Sequence, residues 1–176
     1  MQQPSSEGLR RLVVMRHAKA EPTAPSDHDR ALAARGRGDA AHAGRWLREQ
    51  GIVPDAALVS DALRTRQTWE EVALAADWET TADLSGALYA AGPDSAFDLI
   101  RDVHATVTTL LVIGHNPTMA SIAELIDDGE GDPAATTGLV TRGFPTSALA
   151  VFAIAGEWAD LGAGAGRLEA FHAGDA

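Results

Sequence analysis

Leu12-Val13-Val14-Met15-Arg16-His17 is a short apolar run that stops abruptly at two cationic residue types. Four consecutive apolar residues flanked by charge are too few for a helix to bury and suit a strand covered on both faces. The run therefore predicts a first strand, from about Leu9 to Met15, that delivers Arg16 and His17 at its carboxyl end. Two more such runs follow. Ala56-Ala57-Leu58-Val59 leads into Ser60 and Arg64, and residues 109–113 lead into Gly114-His115-Asn116-Pro117. Between the first two runs, Ala40, Ala43, Gly44 and Leu47 recur at helical spacing before Gly51; after the second, Trp69, Val72, Ala73 and Ala76 do the same behind Ser60 as a possible cap. Past the third, Asn116 suits an N-cap and Pro117 the first helical position, with Met119, Ile122, Ala123 and Ile126 as the apolar stripe.

A weaker extended segment over residues 80–84, a helix near residues 95–104 and strands over 148–154 and 167–172, the last two flanking a Gly/Ala loop at 159–166, complete the pattern. Strands alternating with helices predict a three-layer α/β/α fold whose central sheet is mostly parallel with an antiparallel edge. The 176 residues, 45% of them apolar, suffice for one domain. Its expected extent is residues 9–176, after a loose tail at 1–8.

Composition narrows the chemistry. With no cysteine there is no thiolate zinc site and no cysteine nucleophile, so the Cys-x5-Arg phosphatase loop is excluded. Fourteen Lys and Arg against 25 Asp and Glu leave a net charge of −11, which opposes general binding to nucleic acid or anionic membranes. No apolar run approaches the roughly 18 residues of a membrane span and no basic-then-apolar leader opens the chain, so a cytoplasmic location is expected. The six histidines form no close His-x-His or His-x3-His pair, so no metal site is expected.

Arg16-His17, Ser60 to Arg64 and Gly114-His115 all follow strands, and in open α/β sheets the ligand crevice lies beyond the carboxyl ends of strands. Two guanidinium groups and two imidazoles there would make a cationic pocket in an acidic protein, and guanidinium forks match the oxygens of a phosphoryl group. Asp27-His28-Asp29 follows Pro25-Ser26 rather than an apolar strand and is read as a loop; His28, His42, His104 and His172 are read as surface residues, and Arg66 as an exposed charge or ion-pair partner. Glu21, Ser26 and Ser60 are weaker candidates for the pocket lining.

These same blocks resemble the histidine phosphatase (phosphoglycerate mutase-like) superfamily. Arg16-His17-Ala18-Lys19-Ala20 resembles its Arg-His signature in the form common among SixA-like phosphohistidine phosphatases. Leu32 to Gly36 is similar to its Leu-x-x-x-Gly segment, Ser60 to Thr68 to its Ser-x-x-x-Arg-x-x-Gln-Thr helix, and Gly114-His115-Asn116-Pro117 to its second-histidine block; Phe144 to Ala148 also matches. The resemblance implies a phosphoglycerate mutase-like fold. It implies that His17 is the nucleophile that becomes phosphorylated and that Arg16, Arg64 and a protonated His115 bind the phosphoryl oxygens, with no cofactor.

Two departures bear on the substrate. Thr23 stands where the broad branch often has an asparagine, and the segment from Leu84 to Pro93 lacks the usual acidic residue, none appearing until Asp94. Without a dedicated acid, phosphohistidine in a protein or a related phosphoramidate is the expected substrate. The alternatives are a small-molecule phosphomonoesterase using Asp94 or a substrate proton as its acid, and a non-catalytic phosphate-binding module.

Overall fold

A computed structural model describes residues 8–174, so the expected tail at 1–8 lies outside the described residues except for Gly8. Strands β1 (Leu9–Arg16), β2 (Ala56–Ser60), β3 (Ala82–Ser85), β4 (Thr109–Gly114), β5 (Leu149–Ala155) and β6 (Gly166–His172) form one sheet in the order β3-β2-β4-β1-β5-β6. The first four are mutually parallel, and β5 runs antiparallel to both β1 and β6. The antiparallel strand thus lies one position in from the edge.

The apolar runs behave as continuous core strands. Leu12, Val13, Val14 and Met15 are at most 1% exposed, as are residues 110–113. Alternation divides them between the layers. Val13 and Met15 face α1 (Ala34–Glu49) and α2 (Leu63–Ala76), packing with Leu47 and Val72, while Leu12 and Val14 pack with Ile100, Met119 and Ile126 on the other side. That second layer holds α3 (Gly86–Tyr89), α4 (Pro93–Arg101), α5 (Thr118–Ile126) and α6 (Pro133–Arg142). The α/β expectation therefore holds.

Four local readings differ, one being the cap of α2, which is Ala62 while Ser60 ends β2. α4 starts at Pro93 rather than near residue 95, because proline suits the first turn of a helix, where its missing N–H costs nothing. Pro117, after a cis peptide bond, is itself the N-cap of α5, and Asn116 supports the helix from one position earlier by accepting from the Ala120 N–H at 3.1 Å. The sequence reading does not contain α6; its interior Thr136-Thr137-Gly138 is a poor helix former, but the Asp132 carboxylate caps the Ala135 N–H at 2.9 Å and Pro133 opens the first turn.

The chain leaves β1 for the α1 layer and β4 for the opposite one, so the crevice beyond β1 and β4 is a topological switch point. Gly36 shapes its rim: a Cβ there would stand 2.0 Å from the Lys19 carbonyl oxygen, so only glycine lets the start of α1 press against the chain leaving β1.

Candidate active site

Register brings the two histidines together. Arg16 pairs with Gly114 across β1 and β4, so His17 and His115 leave the sheet side by side, with ring centroids 5.3 Å apart. Val59 pairs with Ile113, which puts Ser60 level with the end of β4, and its hydroxyl meets His115 Nε2 at 2.7 Å. Arg64 enters from the first turn of α2, 5% exposed. All four expected site residues, Arg16, His17, Arg64 and His115, thus gather at one strand-end crevice.

His17 is held from both sides. Its N–H donates to the Gly114 carbonyl at 3.1 Å and its own carbonyl accepts from the Ser147 N–H at 3.0 Å. Ring atom Nδ1 lies 2.7 Å from the Ala18 carbonyl, which can only accept, so Nδ1 carries the proton and Nε2 keeps its lone pair. The Ala18 N–H is fixed in turn by Thr68 Oγ1 at 3.0 Å, and that hydroxyl donates to the Arg64 carbonyl at 2.7 Å.

Several donors around this lone pair have no protein partner. Among the described residues the buried polar atoms without a hydrogen bond include Arg16 Nε, Arg64 Nε, His115 Nδ1 and Ser147 Oγ. Burying a donor unpaired costs about 1 to 3 kcal/mol, so a cluster of them marks a place built for an acceptor. Ser147 adds backbone strain, with φ at 65° in the left-handed region.

Burial keeps both rings neutral. His17 is pushed down to about 3, by desolvation first and then by His115, Arg64 and Arg16, against the opposing Ala18 carbonyl. His115 is pushed down to about 4, by desolvation and then Arg64. The expected protonated His115 is therefore not its state here, because burial, and after it the Arg64 guanidinium, disfavours the charged ring. Both values lie below the ordinary 6.5, so as pH falls the unfolded chain takes up protons first. The stability gained by keeping the rings neutral is complete above about pH 6.5 and is lost as pH falls from there through about 4 and 3. The denaturant midpoint should therefore drop more steeply from pH 6.5 to 4 in the wild type than in a His17→Ala/His115→Ala variant; equal slopes would contradict these burial effects.

Sequence reasoning missed the partners of Arg64. Asp27-His28-Asp29, read as a loop, forms an exposed 3₁₀ turn beside the crevice. Arg64 Nη1 donates to the Asp27 carbonyl at 2.8 Å and Nη2 to its carboxylate at 3.1 Å, while Tyr89 from α3 donates to the same carboxylate at 2.6 Å. Tyr89, with Arg64 and Arg30 beside it, holds the Asp27 carboxyl down at about 2. His28, expected at the surface, is half-buried, bonded to Asp61 at 2.9 Å and set edge-on to Tyr89. Glu21 and Ser26 remain exposed, Arg66 bonds the Asp61 carbonyl at 3.1 Å, and Asp94 is exposed in the first turn of α4.

Comparison with known proteins identifies the scaffold. The model of the histidine phosphatase superfamily (branch 1) matches residues 12–88. An uncharacterized protein of Mycobacterium tuberculosis is 42% identical over 159 residues, spanning 90% of this chain and 98% of that one. Phosphohistidine phosphatase SixA of Escherichia coli is 29% identical over 129 residues, 72% of this chain and 80% of the other. A solved structure from Nakamurella multipartitia, described as a candidate phosphohistidine phosphatase SixA, superposes with a TM-score of 0.82 at 35% identity over 96% of this chain and 98% of that one. With likeness that extends over nearly the whole of both chains, and a family match over the segment carrying Arg16, His17 and Arg64, this chain belongs to the histidine phosphatase superfamily and is a phosphatase.

Proposed function

We propose that the chain hydrolyses phosphohistidine on a protein, through a phosphoryl group carried by His17 and without a metal ion. The observation that carries this reading is the set of unpartnered donors on Arg16, Arg64 and His115 around a histidine whose Nε2 lone pair is free. Nε2 attacks phosphorus as the bond to the substrate imidazole breaks, and that imidazole takes a proton from solvent. Water then attacks the phosphorylated His17, releasing inorganic phosphate and restoring the neutral ring. Both steps place negative charge on oxygens that Arg16, Arg64 and His115 can meet, which is where most catalysis of phosphoryl transfer arises.

The Ser60 hydroxyl can donate to His115 Nε2, since its oxygen also accepts from the Ala62 N–H at 3.4 Å; this leaves Nδ1–H for a phosphoryl oxygen. Arg64 uses both terminal nitrogens on Asp27 and still has Nε to offer, so one planar group is oriented and donates at once. Lysine carries its donors on one nitrogen without a planar fork, so it cannot hold both Asp27 contacts and aim a separate donor in the same fixed geometry. Arg64→Lys should therefore lower kcat about a hundred- to thousandfold, the usual cost of one oriented transition-state donor.

Steady-state assay of a phosphohistidine protein tests the reading. Turnover should survive exhaustive chelation. Activity lost to chelation and restored by one divalent ion would contradict it, as would binding of the phosphoprotein with no turnover.

A further inference from the structure

A second concavity, of about 460 Å³, opens beside the crevice and is lined by Lys19, Arg35, Asp39, Arg142, Pro145 and Thr146. None of the four reacting or phosphoryl-binding side chains lines it. Three cations and one carboxylate face it, in a protein of net charge −11. The chain's only lysine is here, two residues after His17, so no more than about 7 Å of backbone separates their Cα atoms. On the other side Thr146 precedes Ser147, whose N–H donates to the His17 carbonyl at 3.0 Å.

Local structure sets where these residues stand. The Lys19 carbonyl accepts from the Ala33 N–H at 2.9 Å and lies against Gly36, which brings the first turn of α1, and Arg35 with it, alongside Lys19. Asp39 offsets only part of the charge, standing 3.7 Å from Arg35. Arg142, at the end of α6, donates to the Ala173 carbonyl at 3.2 Å and to the Gly174 carbonyl. Carbonyl partners hold the guanidinium still without neutralising it. Arg16, three residues before Lys19, adds a further positive charge in the neighbouring crevice, where Arg64 and Arg30 are offset by Asp27. A local positive field on an acidic protein steers anionic partners to that spot and repels them elsewhere.

We propose that this cavity receives an acidic side chain of the substrate protein, two or three residues from its phosphohistidine. The proposal rests on the reading of the crevice as a phosphohistidine site. An extended peptide advances about 3.3 Å per residue, so a glutamate two or three residues from the phosphohistidine stands about 7 to 10 Å along the chain from it, on the scale of the two-residue step from His17 to Lys19. A cavity of about 460 Å³ has room for a whole side chain with part of its backbone. Exposed ion pairs each contribute roughly a factor of two to five, and with Arg35 already facing Asp39 the other two cations together give on the order of tenfold.

The test uses synthetic phosphohistidine peptides carrying glutamate, or glutamine, at two and three residues on either side, with phosphoramidate as a substrate lacking any flank. Wild-type kcat/KM should favour one of the glutamate peptides about tenfold, chiefly through KM. Lys19→Gln/Arg35→Gln should abolish that preference and leave phosphoramidate hydrolysis unchanged. Equal rates on glutamate and glutamine peptides would overturn the proposal while phosphohistidine hydrolysis stands; no turnover of either peptide would overturn both. A preference for an alkyl bisphosphate over its monophosphate, without one for glutamate, would assign the cavity to the second phosphate of a small molecule and equally overturn the proposal.

Discussion

Replacing His17 with alanine is expected to lower turnover by about four orders of magnitude or more, the scale on which removal of a covalent nucleophile is felt. The fold should survive. The bonds that tie residue 17 into the sheet, to the Gly114 carbonyl and from the Ser147 N–H, are made by its backbone, and alanine keeps them. Far-ultraviolet circular dichroism and binding of tungstate, a tetrahedral oxyanion, would check that Arg16, Arg64 and His115 still form a pocket. Normal turnover in this variant would remove His17 from the chemistry.

A comparably large effect is expected across a series of substrates graded by leaving-group basicity. Expelling an alkoxide requires a proton in the transition state, and a positioned general acid contributes about a hundred- to ten-thousandfold. No group at the crevice is suited to that role. The Asp27 carboxyl is held ionised at about 2 and is committed to Arg64 and Tyr89, and Asp94 is exposed on α4. Neutral His115, pushed down to about 4, has little free acid form at neutral pH. Phosphohistidine, whose imidazole can take a proton from solvent, and aryl esters of acidic phenols should react well, while alkyl phosphates such as sugar phosphates should be slower by about two to four orders of magnitude. If alkyl esters turned over as fast as activated ones with chemistry limiting, an acid would be at work and the small-molecule phosphomonoesterase reading would replace this one.

Much of the site can be read in the sequence because its residues sit where strands end. Apolar runs at residues 12–15 and 110–113 locate two buried strands, and the residues just after them are Arg16, His17 and His115. Period and punctuation cannot say which strands are neighbours. It is the pairing of Arg16 with Gly114 and of Val59 with Ile113 that sets His17, His115 and Ser60 side by side. Asp27 is illegible for a related reason: its partner Arg64 is 37 positions away in sequence, and an Asp-His-Asp turn after a proline reads as solvated polar chain until α2 is folded beneath it. Tyr89 hides in a single short turn of helix, and nothing in Pro145-Thr146-Ser147 marks Ser147 as left-handed, since serine has no special preference for that conformation.

The central claim is that phosphoryl transfer passes through Nε2 of His17, because the Ala18 carbonyl occupies the proton on Nδ1. The direct measurement is rapid quenching during turnover of a phosphohistidine protein, followed by mapping of the label and assignment of the phosphohistidine isomer by phosphorus NMR. The account predicts an acid-labile phosphoryl group on His17, attached at Nε2. A label on Nδ1, on any other residue, or no phosphoenzyme at all under conditions where its hydrolysis limits the rate would contradict it.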